Sequence, residues 1–90
     1  MRRYVDIVKK NFHILKKKIY GNNICYLDNA ASTHMPKVSI DMMKYYYLNM
    51  HSNTHRGIYY LSEKVTEEYE NTRNKIKYFL NAKFSSECIF

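Results

Sequence analysis

The chain has 90 residues, 46% of them apolar, with 15 Lys and Arg against 8 Asp and Glu, two Gly, one Pro and two Cys. That composition is neither collagen-like, nor that of a flexible linker, nor disordered, and no apolar run is long enough to span a membrane. A chain this short buries only about two-thirds of its unfolded surface, so a deep, fully formed enzyme pocket is not expected from it alone.

The formal charge of +7 suggests a nucleic-acid surface until its distribution is read. Arg2, Arg3, Lys9, Lys10, Lys16, Lys17 and Lys18 stand in residues 1–20 against Asp6 alone, so the rest of the chain is close to neutral. Val5, Val8, Phe12 and Leu15 within residues 3–15 predict a basic helix with one narrow apolar stripe. Gly21-Asn22-Asn23 is a turn signal, and Ile24-Cys25-Tyr26-Leu27 predicts a short strand. Asp28 to His34 is small, polar and aperiodic, which predicts a loop. Pro36 suits a helix start, and Ile40, Met43, Tyr47 and Met50 predict a helix over about 36–50. After a second loop at 49–57, Leu61, Val65, Tyr69, Thr72, Ile76 and Phe79–Leu80 predict a long helix ending at Asn81-Ala82-Lys83. Its flanks are charged, with Glu70 and Arg73 at a helical offset. Glu87-Cys88-Ile89-Phe90 reads as the opening of a strand, so the chain looks cut.

Each candidate for chemistry has a plainer alternative. The basic end suits phosphate or an anionic membrane surface, or is a solvated helix face; the narrow, aromatic-poor stripe favours the latter. His13, His34, His51 and His55 are not expected to hold a metal: His51 and His55 are four residues apart, but they flank a Ser-Asn-Thr loop where that spacing carries no helical meaning. Cys25 and Cys88 stand in apolar runs and are expected to be inert. The loops at 28–34 and 51–57 are the two places where residue chemistry suggests a site. Small residues after a strand let backbone N–H groups approach a ligand, and His55-Arg56-Gly57 joins a titratable ring, a permanent cation and a hinge.

These two loops also carry a resemblance. Tyr26-Leu27-Asp28-Asn29-Ala30-Ala31-Ser32-Thr33, followed by Pro36, resembles the YLDNAATT…P opening of the cysteine desulfurases. His55-Arg56-Gly57-Ile58 with Leu61-Ser62 resembles the VHRGxHxLS segment of their group II, sulfur-mobilisation branch. Thr66, Tyr69, Glu70 and Arg73 resemble that branch's ATExYExxR helix. His13 stands where the family usually has proline, and Tyr60 where it commonly has threonine.

The resemblance covers essentially the whole chain and implies the following. The fold is α/β, the N-terminal portion of the type I pyridoxal-phosphate-dependent transferase fold, mostly helical here with three helices and short strands. Residues 1–20 are a basic helix and lead-in, and 21–90 open the truncated aminotransferase class V domain. The full-length family uses pyridoxal 5′-phosphate to convert L-cysteine to L-alanine, passing sulfur to an enzyme persulfide for iron–sulfur cluster assembly. It works as a homodimer with a sulfur-acceptor protein, without nucleic acid or membrane. Ala30, Ala31, His55 and Arg56 match positions at the substrate end of the pocket, and Asp28 and Asn29 shape a loop. Neither the Schiff-base Lys nor the sulfur-accepting Cys has a match here, so no catalytic, cofactor-binding or metal-ligating residue is expected in this chain. The chain alone is expected to be inactive, and a cytoplasmic setting leads over a plastid-type organelle. A selenocysteine lyase or other class V relative is the near alternative; a small RNA- or membrane-binding module is the distant one.

Overall fold

In the computed structural model, which describes residues 1–90, the chain divides into two units, Met1–Tyr45 and Tyr46–Phe90. The first begins with helix α1 (Arg2–Lys10), shorter than its predicted span. Asn11 closes α1, Phe12 is extended (φ −112°, ψ 97°), and His13–Lys16 form a single 3-10 turn. Three of the four stripe residues stay together across this break, while Val5 is exposed. Val8, Phe12 and Leu15 line a shallow cavity of about 310 Å³ together with Lys9, Tyr26, Asn29, Thr33 and His34.

Strands β1 (Lys18–Ile19) and β2 (Asn22–Asn23) form an antiparallel hairpin, with Lys18 opposite Asn23 and Ile19 opposite Asn22. Its two turn residues, Tyr20 (φ +51°) and Gly21 (φ +81°), both have positive φ, as a two-residue turn matched to strand twist requires. The turn signal therefore lies one residue earlier than predicted, and the asparagines are paired strand. The strand predicted over Ile24–Leu27 does not form. After the Ile24 N–H reaches the Lys17 carbonyl (3.4 Å), no neighbouring strand offers that segment a ladder, and an unpaired strand leaves its backbone groups unsatisfied.

Helix α2 (Lys37–Asn49) starts directly after Pro36, whose carbonyl accepts the N–H groups of Ser39 and Ile40. Its span agrees with the sequence pattern; the burial does not. Ile40, Met43 and Tyr47 are all about half or more exposed, and no residue of α2 is buried.

In the second unit α3 (Tyr60–Leu80) runs the length its periodicity predicted. Asn81 ends it in the left-handed conformation (φ +54°), and the Ala82 N–H reaches back to the Lys77 carbonyl. The covered face of α3 is Ser62, Val65, Thr66, Tyr69, Glu70, Arg73, Ile76 and Lys77, rather than the predicted set that includes Leu61, Thr72 and Phe79–Leu80. The residues after α3 return along it. Ser85–Glu87 make a 3-10 turn in which the Glu87 carboxylate accepts the Phe84 N–H (3.1 Å), and Cys88 is buried against the helix. The predicted strand at 87–90 is therefore irregular chain, again for want of a partner strand. Cys88 is buried as expected for an apolar run, whereas Cys25 is exposed.

Candidate functional site

The 28–34 loop is a backbone-bonded turn. The Asp28 carbonyl accepts the N–H groups of Ala31 (3.2 Å) and Ser32 (3.1 Å), and the Thr33 hydroxyl donates to the Asn29 carbonyl (2.9 Å). The Tyr26 hydroxyl donates to the Ser32 carbonyl and closes the loop from its other side. Asp28 and Asn29 thus shape the loop through their carbonyls. Ala30 and Ala31 are exposed at its tip. The Tyr26 and His34 rings lie 4.0 Å apart, and His34 Nε2 is buried without a hydrogen-bond partner.

The 51–57 loop is fastened to α3 by polar side chains one helical turn apart. Ser62, fully buried, donates its hydroxyl to the Asn53 carbonyl (2.6 Å). The Thr66 hydroxyl donates to the Ser62 carbonyl (2.7 Å) and accepts the His55 N–H (2.8 Å). Glu70 Oε1 meets His55 Nε2 at 2.8 Å. Ser62, Thr66 and Glu70 thus repeat every four residues and hold the loop at three successive points.

Two backbone features follow. His55 has φ +67° and is the middle of a tight turn closed by the Arg56 N–H on the Thr54 carbonyl (2.9 Å). Gly57 lies so close to α3 that a Cβ there would fall on Ser62 Cβ and Oγ and stand 2.8 Å from Tyr59 Cε1.

Around His55 the charges are ordered. Arg73 Nε donates to Glu70 Oε2 at 3.1 Å, and its Nη1 donates to the Cys88 carbonyl. The Arg73 guanidinium also lies over the Tyr69 and Phe90 rings, 5.3 and 4.9 Å from their centroids. The hydrogen bond from His55, with Arg73 beside it, holds the Glu70 carboxyl below the usual carboxylate range. Arg56 next door is different: its side chain is exposed and makes no hydrogen bond or ion pair. An exposed, unpaired guanidinium beside a tethered imidazole suits a small carboxylate ligand. His51 has aromatic company only, stacked on Tyr47 (5.3 Å) and edge-on to Tyr46 (5.5 Å). No three His, Cys, Asp or Glu side chains gather as a metal site would require.

The sequence profile described as aminotransferase class-V matches residues 25–90, which takes in both loops and α3. The chain belongs to the class V aminotransferase family. Across 83 residues this class V chain is 39% identical to a "Probable cysteine desulfurase" of Synechocystis sp., covering 92% of the chain and 20% of that protein. It is 38% identical over 86 residues to a protein of the same name from Staphylococcus aureus, covering 96% of the chain and 21% of that protein. A "Cysteine desulfurase" of Synechococcus elongatus is 37% identical over 83 residues, 92% of the chain and 13% of that protein. The class V chain thus spans about a fifth or less of the length of these curated relatives.

His55 and Arg56 are the site residues expected from the sequence that fall in the tethered loop; Ala30 and Ala31 belong to the other unit's turn. Apolar periodicity missed the tethers, because Ser62, Thr66 and Glu70 form a polar stripe on the covered face. Their four-residue spacing below a His-Arg-Gly loop was the available signal.

Proposed function

We propose that this chain is part of a pyridoxal-phosphate-dependent cysteine desulfurase of the group II type, in which it supplies one wall of the substrate pocket. The reaction is conversion of L-cysteine to L-alanine, with sulfur passing to an enzyme persulfide and then to an acceptor protein for iron–sulfur cluster assembly. The observation that carries this reading is the 51–57 loop: Arg56 is open to solvent while the adjoining His55 is tethered to α3 at backbone and ring. In this role Arg56 binds the carboxylate of the amino-acid substrate and His55 stands ready to exchange a proton. Ala30 and Ala31, exposed and without bulk at the tip of their own turn, are the other residues this reading assigns to substrate.

In this proposal no residue of this chain holds the cofactor itself. The Ala31 and Ser32 amides, the donors a small-residue turn would offer a phosphate, are already bonded to the Asp28 carbonyl. No step through the cofactor is therefore assigned to these residues, and the chain alone is expected to be inactive. Homodimerisation and the acceptor protein follow from the family reading.

Replacing the matching N-terminal fifth of the Staphylococcus aureus relative with this chain tests the proposal. The chimera is expected to release alanine and sulfide from L-cysteine in the presence of a thiol reductant. The 90-residue chain with added pyridoxal phosphate is expected to release neither. A chimera that folds and binds the cofactor yet yields no alanine contradicts the proposal.

A further inference from the structure

His55 is held at two ends. Its backbone N–H is bound by the Thr66 hydroxyl (2.8 Å), and the far nitrogen of its ring meets Glu70 Oε1 (2.8 Å). The Tyr69 ring stands edge-on to it at 5.0 Å, on the same covered face of α3. Glu70 is itself fixed, because its second oxygen accepts from Arg73. Arg73, the least exposed member at 19%, is bound in turn to the carbonyl of buried Cys88. A chain of contacts therefore runs from the imidazole to the buried side of α3.

The donor and acceptor roles follow from chemistry. An ionised carboxylate can only accept, so the hydrogen between the two groups must lie on Nε2. In the neutral ring Nδ1 then carries the lone pair. We propose that Glu70, braced by Arg73, is the positioning residue for His55, fixing the ring as its Nε2–H tautomer and leaving Nδ1 as the proton-accepting atom. A proton moving from the ammonium or thiol of a bound amino acid to Nδ1 makes the ring an imidazolium, and the Glu70 carboxylate faces that charge. The lowered Glu70 titration agrees with this role, since it keeps the group an acceptor at neutral pH. The consequence for catalysis rests on the proposed desulfurase reading; the tautomer itself does not.

The experiment is long-range proton–nitrogen NMR of the uniformly 15N-labelled 90-residue chain at mildly alkaline pH, with His55→Asn identifying the His55 signals. The expected wild-type result is a protonated Nε2, an unprotonated Nδ1 and a slowly exchanging Nε2 proton. Glu70→Ala is expected to speed that exchange by about tenfold or more, the scale of a lost charge-assisted hydrogen bond. Glu70→Gln, whose amide oxygen accepts the same hydrogen, is expected to restore slow exchange. A wild-type His55 protonated on Nδ1, or averaged between tautomers as in free histidine, overturns the proposal whether or not any variant folds. Unchanged exchange in Glu70→Ala overturns it as well. A fixed tautomer beside an inactive chimera overturns the functional reading alone, and an active chimera with averaged tautomers overturns the positioning alone.

Discussion

At His55 the backbone φ of +67° is unusual for a residue with a Cβ; it costs ~1–3 kcal/mol and persists only where its surroundings over-determine it. The Thr66 hydroxyl on its N–H and the Ser62 hydroxyl on the Asn53 carbonyl supply that determination, and Glu70 fixes the ring tip. The Glu70 contact has a defined pH dependence. Its carboxyl lies below the ordinary value of 4.5, chiefly through the hydrogen bond from His55 and also through Arg73. A carboxyl lowered by folding contributes stability in full above its unfolded value and loses it as pH falls through the lowered one. Carbon-13 titration of the Glu70 carboxyl is therefore expected to give a midpoint below 4.5, with the His55 ring released over the same interval. A midpoint at or above 4.5 would contradict the contact. His55 and Glu70 are both nearly half exposed, so solvent screens the pair and its role is orientation more than stability.

The elements show which sequence signals carried structural information. Periodicity placed α2 and α3 closely, because helix hydrogen bonds are local and close within the segment itself. The strands expected at 24–27 and 87–90 failed for the converse reason: a strand's hydrogen bonds belong to a neighbour, and no neighbour is present for either. Burial was less legible than helicity. Ile40, Met43 and Tyr47 make a correct helical stripe but meet no core, and α3 covers Ser62 and Arg73 while exposing Phe79 and Leu80. His55 and Arg56 were legible as a residue pair; the Ser62–Thr66–Glu70 fastening required the structure. That fastening makes Gly57 and Ser62 sensitive positions. Gly57→Ala forces a methyl onto buried Ser62, which is expected to cost ~1–3 kcal/mol locally. Ser62→Ala removes the bond to Asn53 and is expected to cost ~1 kcal/mol. Both are expected to speed hydrogen exchange at the His55 amide several-fold or more, while Ala substitution at exposed Glu63 leaves it unchanged.

At the scale of the whole molecule, a 90-residue chain whose buried apolar residues are Val65 and Cys88 leaves most of its large apolar side chains exposed. No helix is long and apolar enough to cross a membrane. The charge, concentrated in residues 1–20 and exposed along α1, is set apart in sequence from the loop that carries the candidate chemistry. Within that loop Arg56 is the side chain on which the proposed substrate binding turns. The most direct test is steady-state desulfuration of L-cysteine by the chimera with and without Arg56→Gln. With Arg56 as the proposed carboxylate-binding residue, its loss is expected to lower kcat/KM by about ten- to a hundredfold, mostly through KM. A chimera whose kcat/KM is the same with glutamine at this position would contradict the claim that this loop forms the substrate wall.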